Sequence, residues 1–135
     1  MIRLTRRYRF SASHRLDSTD LSPAENRAMY GKCNNPFGHG HDYKVEISVS
    51  GDADPETGRV IDPGALDALV NSEVLVGFGS AHLNDLRDFE RMVATTENLA
   101  VAIERRLAAR WPAGWPRLDR IRIEETRRNH FELRR

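Results

Sequence analysis

The chain has 135 residues, 21 basic and 20 acidic side chains, and a formal net charge of +1. That length predicts one domain, residues 1–135, with a real core and a size at which oligomerisation is plausible, and the near-neutral balance argues against a nucleic-acid footprint. No apolar run approaches the roughly 20 residues of a membrane helix, residues 1–7 lead into no apolar signal core, and a single cysteine excludes an internal disulfide, so a reducing, cytoplasmic setting is expected.

Residues 2–14 alternate, with Ile2, Leu4, Tyr8, Phe10 and Ala12 on one parity and arginines and serines mostly on the other. This is the pattern of a half-buried strand, and His14 falls at the end of its apolar row. Residues 17–38 are polar and turn-rich, a long connection of the kind that often carries function. Residues 39–50 predict a second strand in which His39 and His41 begin the row continued by Tyr43, Val45, Ile47 and Val49. Gly51 and the turn-like segment 52–58 end it.

Two helices are predicted next. Asp62-Pro63 supplies an N-cap and a first-turn proline, Leu66, Leu69, Val70 and Val74 form one apolar face, and Gly77 and Gly79 stop the helix. Thr95 or Thr96 caps the second, Glu97 suits its first turn, and Leu99, Ile103, Leu107 and Trp111 form its stripe before Pro112. The tail predicts a hairpin, with Ile121, Ile123 and Glu125 on one parity and Phe131 and Leu133 on the return strand. The order ββααββ implies an α+β fold, an antiparallel β-sheet with two helices on one face.

Three histidines, His14, His39 and His41, end apolar rows on two strands joined by a long loop. If those strands pair, the imidazoles converge, and three protein ligands with an open fourth position suit catalytic zinc. Iron, copper and nickel also accept such donors. The plain alternative is one buried, hydrogen-bonded histidine and two loop histidines. Cys33 is either a buried, inert thiol or, beside Lys32 in a polar loop near a cation, a reactive thiolate. Glu125 on a core parity needs a partner, either an arginine or a ligand rich in N–H donors. Glu124 on the other parity is expected in solvent, as is His130.

The segments Phe10-Ser-Ala-Ser-His14-Arg-Leu16, Glu25-Asn26, Tyr30-Gly-Lys-Cys-Asn-Asn-Pro-Phe-Gly-His-Gly-His41, Asp54-Pro-Glu-Thr-Gly58, Thr95-Thr-Glu-Asn98 and Glu124-Glu-Thr126 resemble, in order, the 6-pyruvoyltetrahydropterin synthase family, which includes the 6-carboxytetrahydropterin synthases of tetrahydrobiopterin and queuosine biosynthesis. The cysteine-to-histidine segment is closer to the pyruvoyl type. The resemblance implies a tunnelling-type fold closing into an oligomeric barrel, commonly a homohexamer built as a dimer of trimers, and a small-molecule pterin substrate, 7,8-dihydroneopterin triphosphate. It implies that His14, His39 and His41 hold Zn2+, that Cys33 is the general base, and that Glu125 anchors the pterin with Thr95 and Thr96 lining its pocket.

One departure stands out. The family's Asp-His pair after the first helix, which completes the proton relay, falls in an ungapped count on Gly79 and Ser80. His82, two residues on, replaces the relay only if the loop is shorter. Otherwise it is a loop histidine, and the Leu83-Asn84 match favours the ungapped count. The expectation is therefore a zinc-dependent pterin lyase. The alternative is a divergent member acting as a pterin- or zinc-binding scaffold, or as a retro-aldol pterin enzyme.

Overall fold

A computed structural model describes residues 1–135. Four strands form one antiparallel sheet in the order β1-β2-β3-β4: β1 is Ile2–His14, β2 is His39–Gly51, β3 is Arg117–Glu124 and β4 is His130–Arg134. The apolar parity of each strand faces the helices, and the register sets Phe10 opposite Tyr43, Tyr8 opposite Val45 and Val45 opposite Ile123. A bulge between Ser48 and Val49 gives β3 an extra residue there, which keeps both Leu118 and Ile121 in the core.

The helices cover one face. Helix α2 (Pro63–Val70) is capped by Asp62 as the sequence predicts. It runs on through a π turn, Asn71–Leu75, and a last α turn, Val76–Phe78, to Gly79. Helix α3 (Thr96–Arg110) starts with the Thr95 hydroxyl accepting from the Asn98 backbone, and it ends at Trp111 before Pro112. Leu66, Val70, Val74, Leu99, Ile103 and Leu107 pack, fully buried, on the sheet's inner rows in one core of 22 buried apolar residues.

The connection 17–38 is more ordered than its polarity predicts. It contains helix α1 (Pro23–Tyr30), held by a capping box in which Ser22 and Glu25 each satisfy the other's backbone N–H. The Ser-x-x-Glu signal was in the sequence, but the helix lacks the apolar stripe that marks the other two. Asn26 pins α1 instead, by accepting from the Ser18 backbone and donating to the Ser18, Leu21 and Ser22 carbonyls.

The helix-free face of the sheet is charged. Glu46 there accepts from Arg120 at 3.0 Å and Arg122 at 3.5 Å and forms an ion pair with Arg7 at 3.2 Å. No helix is long and apolar enough to cross a membrane.

Candidate functional site

The β1–β2 register sets His14 opposite His39 and brings His41 beside both. The three ring centroids lie 4.7, 4.8 and 5.0 Å apart, and one nitrogen from each ring falls within 4.8 Å of the others. These three residues alone group as a metal-ligand cluster; Cys33 does not join them.

Each ring is prepared to give a lone pair. His14, 2 % exposed, places Nδ1 at 2.7 Å from the Ala94 carbonyl. A carbonyl only accepts, so Nδ1 carries the proton and Nε2 keeps its lone pair toward the cluster. Burial lowers the His14 pKa, and the neighbouring His39 and His41 add to the shift; burial and then His41 lower that of His39. Both shifts favour the neutral, lone-pair-bearing ring that metal binding requires. The Nε2 atoms of His14 and His39 are 3.2 Å apart, and His41 Nε2 is buried with no hydrogen-bond partner. An orphaned ring nitrogen facing two others is a cost that a cation removes, so the donor set fits zinc.

Glu125 stands one residue past the end of β3, half-buried, with its backbone N–H donating to the Asn129 carbonyl. It keeps the core parity the sequence predicts. Its carboxylate meets no arginine; it accepts a short hydrogen bond from the Thr96 hydroxyl at the start of α3. Of the two adjacent threonines, Thr95 is the helix cap, which leaves the Thr96 hydroxyl free for the site. Glu124 is paired with Lys44 at 3.8 Å, and His130 is exposed.

Cys33 is half-buried in a 3₁₀ turn, Gly31–Asn34, whose place is fixed by polar contacts. The Cys33 carbonyl accepts from the Leu16 backbone at 2.8 Å, and buried Asn34 donates to the Leu16 carbonyl and to Asp17. The loop then crosses the end of β1 at Gly38, where φ is +72° and an added Cβ would lie 2.9 Å from both the His14 carbonyl oxygen and a His82 ring carbon.

His82 sits on the other side of β1. The segment 80–82 lies along the free edge of that strand, with Ser80 donating to the Ser11 carbonyl at 2.6 Å and Ser13 donating to the Ala81 carbonyl at 2.9 Å. There the His82 Nδ1 meets the Ser13 hydroxyl at 2.9 Å, and Ser13 has the parity opposite to His14. Gly79 ends the helix and Ser80 takes a left-handed φ of +60°. Leu83 is fully buried, and Asn84 clamps the Arg15 backbone through both its amide groups, at 2.8 and 2.7 Å.

The Ala94 carbonyl that fixes His14, the Asn84 clamp on Arg15 and the unbonded Tyr43 hydroxyl were not legible in the sequence. The first two act across 80 and 69 residues, and local pattern carries no sign of that. Tyr43 reads as one more apolar residue in its row.

Comparison with known proteins points to one family. Residues 3–135 match the sequence model described as 6-pyruvoyl tetrahydropterin synthase. The chain is 46 % identical over 127 residues to a 6-pyruvoyl tetrahydrobiopterin synthase of Poecilia reticulata, covering 93 % of this chain and 85 % of that protein. It is 42 % identical to the human protein of that name, covering 93 % and 86 %. The solved structure of Caenorhabditis elegans 6-pyruvoyl tetrahydropterin synthase superposes with a TM-score of 0.90 at 36 % identity, covering 98 % of this chain and 94 % of that one.

Proposed function

The chain belongs to the 6-pyruvoyl tetrahydropterin synthase family, and on that premise we propose that it is a zinc-dependent carbon–oxygen lyase acting on 7,8-dihydroneopterin triphosphate. The observation that carries the reading is the pairing of two half-sites: three converging imidazoles with an orphaned nitrogen, and a half-buried carboxylate with no basic partner. A carboxylate in that state suits a ligand edge rich in N–H donors, and a pterin ring presents one.

In this reading His14, His39 and His41 hold zinc, which when bound supplies Lewis acidity to the substrate's side-chain hydroxyls. Glu125 accepts hydrogen bonds from the pterin ring and its amino group, and Thr96 fixes the carboxylate; Thr95 acts through the helix it caps. Cys33 takes a proton from the substrate side chain as triphosphate leaves, and the turn pinned by Asn34 holds the thiol in place. The product is a 6-pyruvoyl- or 6-carboxytetrahydropterin. A cytoplasmic homohexamer, a dimer of trimers, is the assembly we propose, and the outer edges of β4 and of β1 before Ser11, which no strand of this chain covers, support subunit-to-subunit strand pairing.

A specific observation favours a second reading, a divergent member that binds pterin and zinc but has lost the full reaction or stops at retro-aldol cleavage. In the ungapped count Gly79 and Ser80 fall where the resemblance implies an Asp-His pair, and neither is a base at neutral pH. His82 would have to supply the relay, and it is engaged with Ser13. Proton transfer by a positioned group contributes roughly 10²- to 10⁴-fold, so the two readings differ in rate and product more than in ligand. Zinc-loaded protein incubated with 7,8-dihydroneopterin triphosphate should release triphosphate. The absence of both turnover and pterin binding would sink the enzyme reading; pterin binding with an aldehyde product or none would favour the second.

A further inference from the structure

The sheet's inner row carries a polar group that neither half-site uses. Tyr43 is 0 % exposed, and its hydroxyl is buried without a hydrogen-bond partner. Its ring stacks on Phe10 at 5.3 Å and stands edge-on to His41 at 5.6 Å and His14 at 6.3 Å, so the ring itself is fixed. Glu125 lies across from it, one step beyond the Lys44–Glu124 register pair. Burial raises the pKa of the Tyr43 phenol most, the Glu125 charge adds to that and the Thr96 hydroxyl opposes it, yet no hydrogen bond of normal length and angle joins the phenol to either.

A buried phenol with no acceptor costs on the order of 1–3 kcal/mol. Replacement by phenylalanine would remove that cost at almost no change in shape, so a tyrosine here calls for a state in which the hydroxyl is bonded. The only proton of Thr96 is donated to Glu125, which leaves the Thr96 oxygen free to accept.

We propose that Tyr43 is a positioning residue for the carboxylate anchor: with a pterin bound, its hydroxyl donates to Thr96, whose hydroxyl donates to Glu125, and this chain holds the carboxylate in its ligand-binding orientation. The proposal rests on the pterin reading of the site. The bonds run one way, Tyr43 O–H to Thr96 Oγ1 and Thr96 O–H to Glu125 Oε2, so each donor strengthens the next. In the ligand-free state the first link is open, and filling the site closes it. No proton is transferred at any link.

The test uses the zinc-loaded chain, neopterin as a fluorescent probe, and the variants Tyr43→Phe, Thr96→Val and both together. Thr95 is the helix cap, so Thr96→Val leaves α3 capped. Tyr43→Phe should weaken neopterin binding roughly fivefold to tenfold while leaving zinc content unchanged and the ligand-free unfolding temperature equal or higher. Thr96→Val should weaken binding at least as much, and the double variant should match Thr96→Val alone. Unchanged neopterin affinity in Tyr43→Phe overturns the proposal. So do additive losses in the double variant, which would mean that Tyr43 acts independently of Thr96. A lower ligand-free unfolding temperature also overturns it, since the hydroxyl would then be bonded already. If the unaltered protein fails to bind neopterin, the pterin reading itself falls and the chain with it; the other outcomes leave that reading standing.

Discussion

His14 shows how much one residue can be asked to do. Its Nδ1 proton is claimed by the Ala94 carbonyl, its Nε2 faces two other imidazoles, and its own carbonyl is approached by Gly38. The consequence is a ring held in one orientation, with a pKa pushed down chiefly by burial. Cys33 has the reverse character: the backbone around it is pinned, but its thiol carries no assigned bond. Cys33→Ala should therefore leave zinc content and unfolding temperature close to those of the parent while lowering the rate of triphosphate release about 10²- to 10⁴-fold; an unchanged rate would remove Cys33 from the mechanism. The three histidines and Glu125 were visible in the sequence because each sits on a strand parity that the alternating pattern defines. What made them a site was not visible, because the contacts that fix tautomer and loop position come from backbone carbonyls and amides far along the chain.

At the scale of elements, the two long strands and two long helices follow from periodicity and caps, and Asp62 and Thr95 start their helices as read. Three elements escaped. Helix α1 is held by polar caps and Asn26 rather than by an apolar stripe. The π turn in α2 inserts a residue without any marker in the pattern, and segment 80–82 joins the edge of β1 through backbone bonds to which any sequence has access. The loop before β2 depends on Gly38, where a positive φ and a close approach to the His14 carbonyl coincide. Gly38→Ala should cost about 1–2 kcal/mol in strain alone, and because the clash partners are the His14 backbone and the His82 ring, it should also weaken zinc binding. Calorimetric unfolding and a zinc titration check the two parts, and unchanged zinc affinity would show that His39 is placed independently of the loop's path.

For the molecule as a whole, acid should act in two stages. His14 and His39 have lowered pKa values in the fold, so in metal-free protein they favour folding above their ordinary 6.5, and that contribution is lost as pH falls through their folded values. Asp88 and Asp119 are lowered too, Asp88 chiefly by its hydrogen bonds from Arg106 and Asp119 by those from Ser50 and then Arg3. Their contributions persist above the ordinary 3.8 and disappear below it, as pH passes the folded values. Unfolding temperature of the metal-free chain measured from pH 8 to 2 should therefore sag first below about 6.5 and then steeply below about 4. A single drop confined to the lower range would mean that the imidazoles titrate alike in the folded and unfolded chain.

The short run of chain at 80–82 bears on how copies of this protein can meet. By bonding to the carbonyl of Ser11 and the amide of Ser13, it consumes the outward-facing groups at the His14 end of β1. A strand from a neighbouring subunit finds open positions only at Arg3, Thr5, Arg7 and Arg9, and it cannot slide past Ser11 without displacing this plug. In the proposed assembly the histidine end of the sheet would act as a mechanical stop, so that the local loop which carries His82 would also dictate the alignment of one subunit on the next.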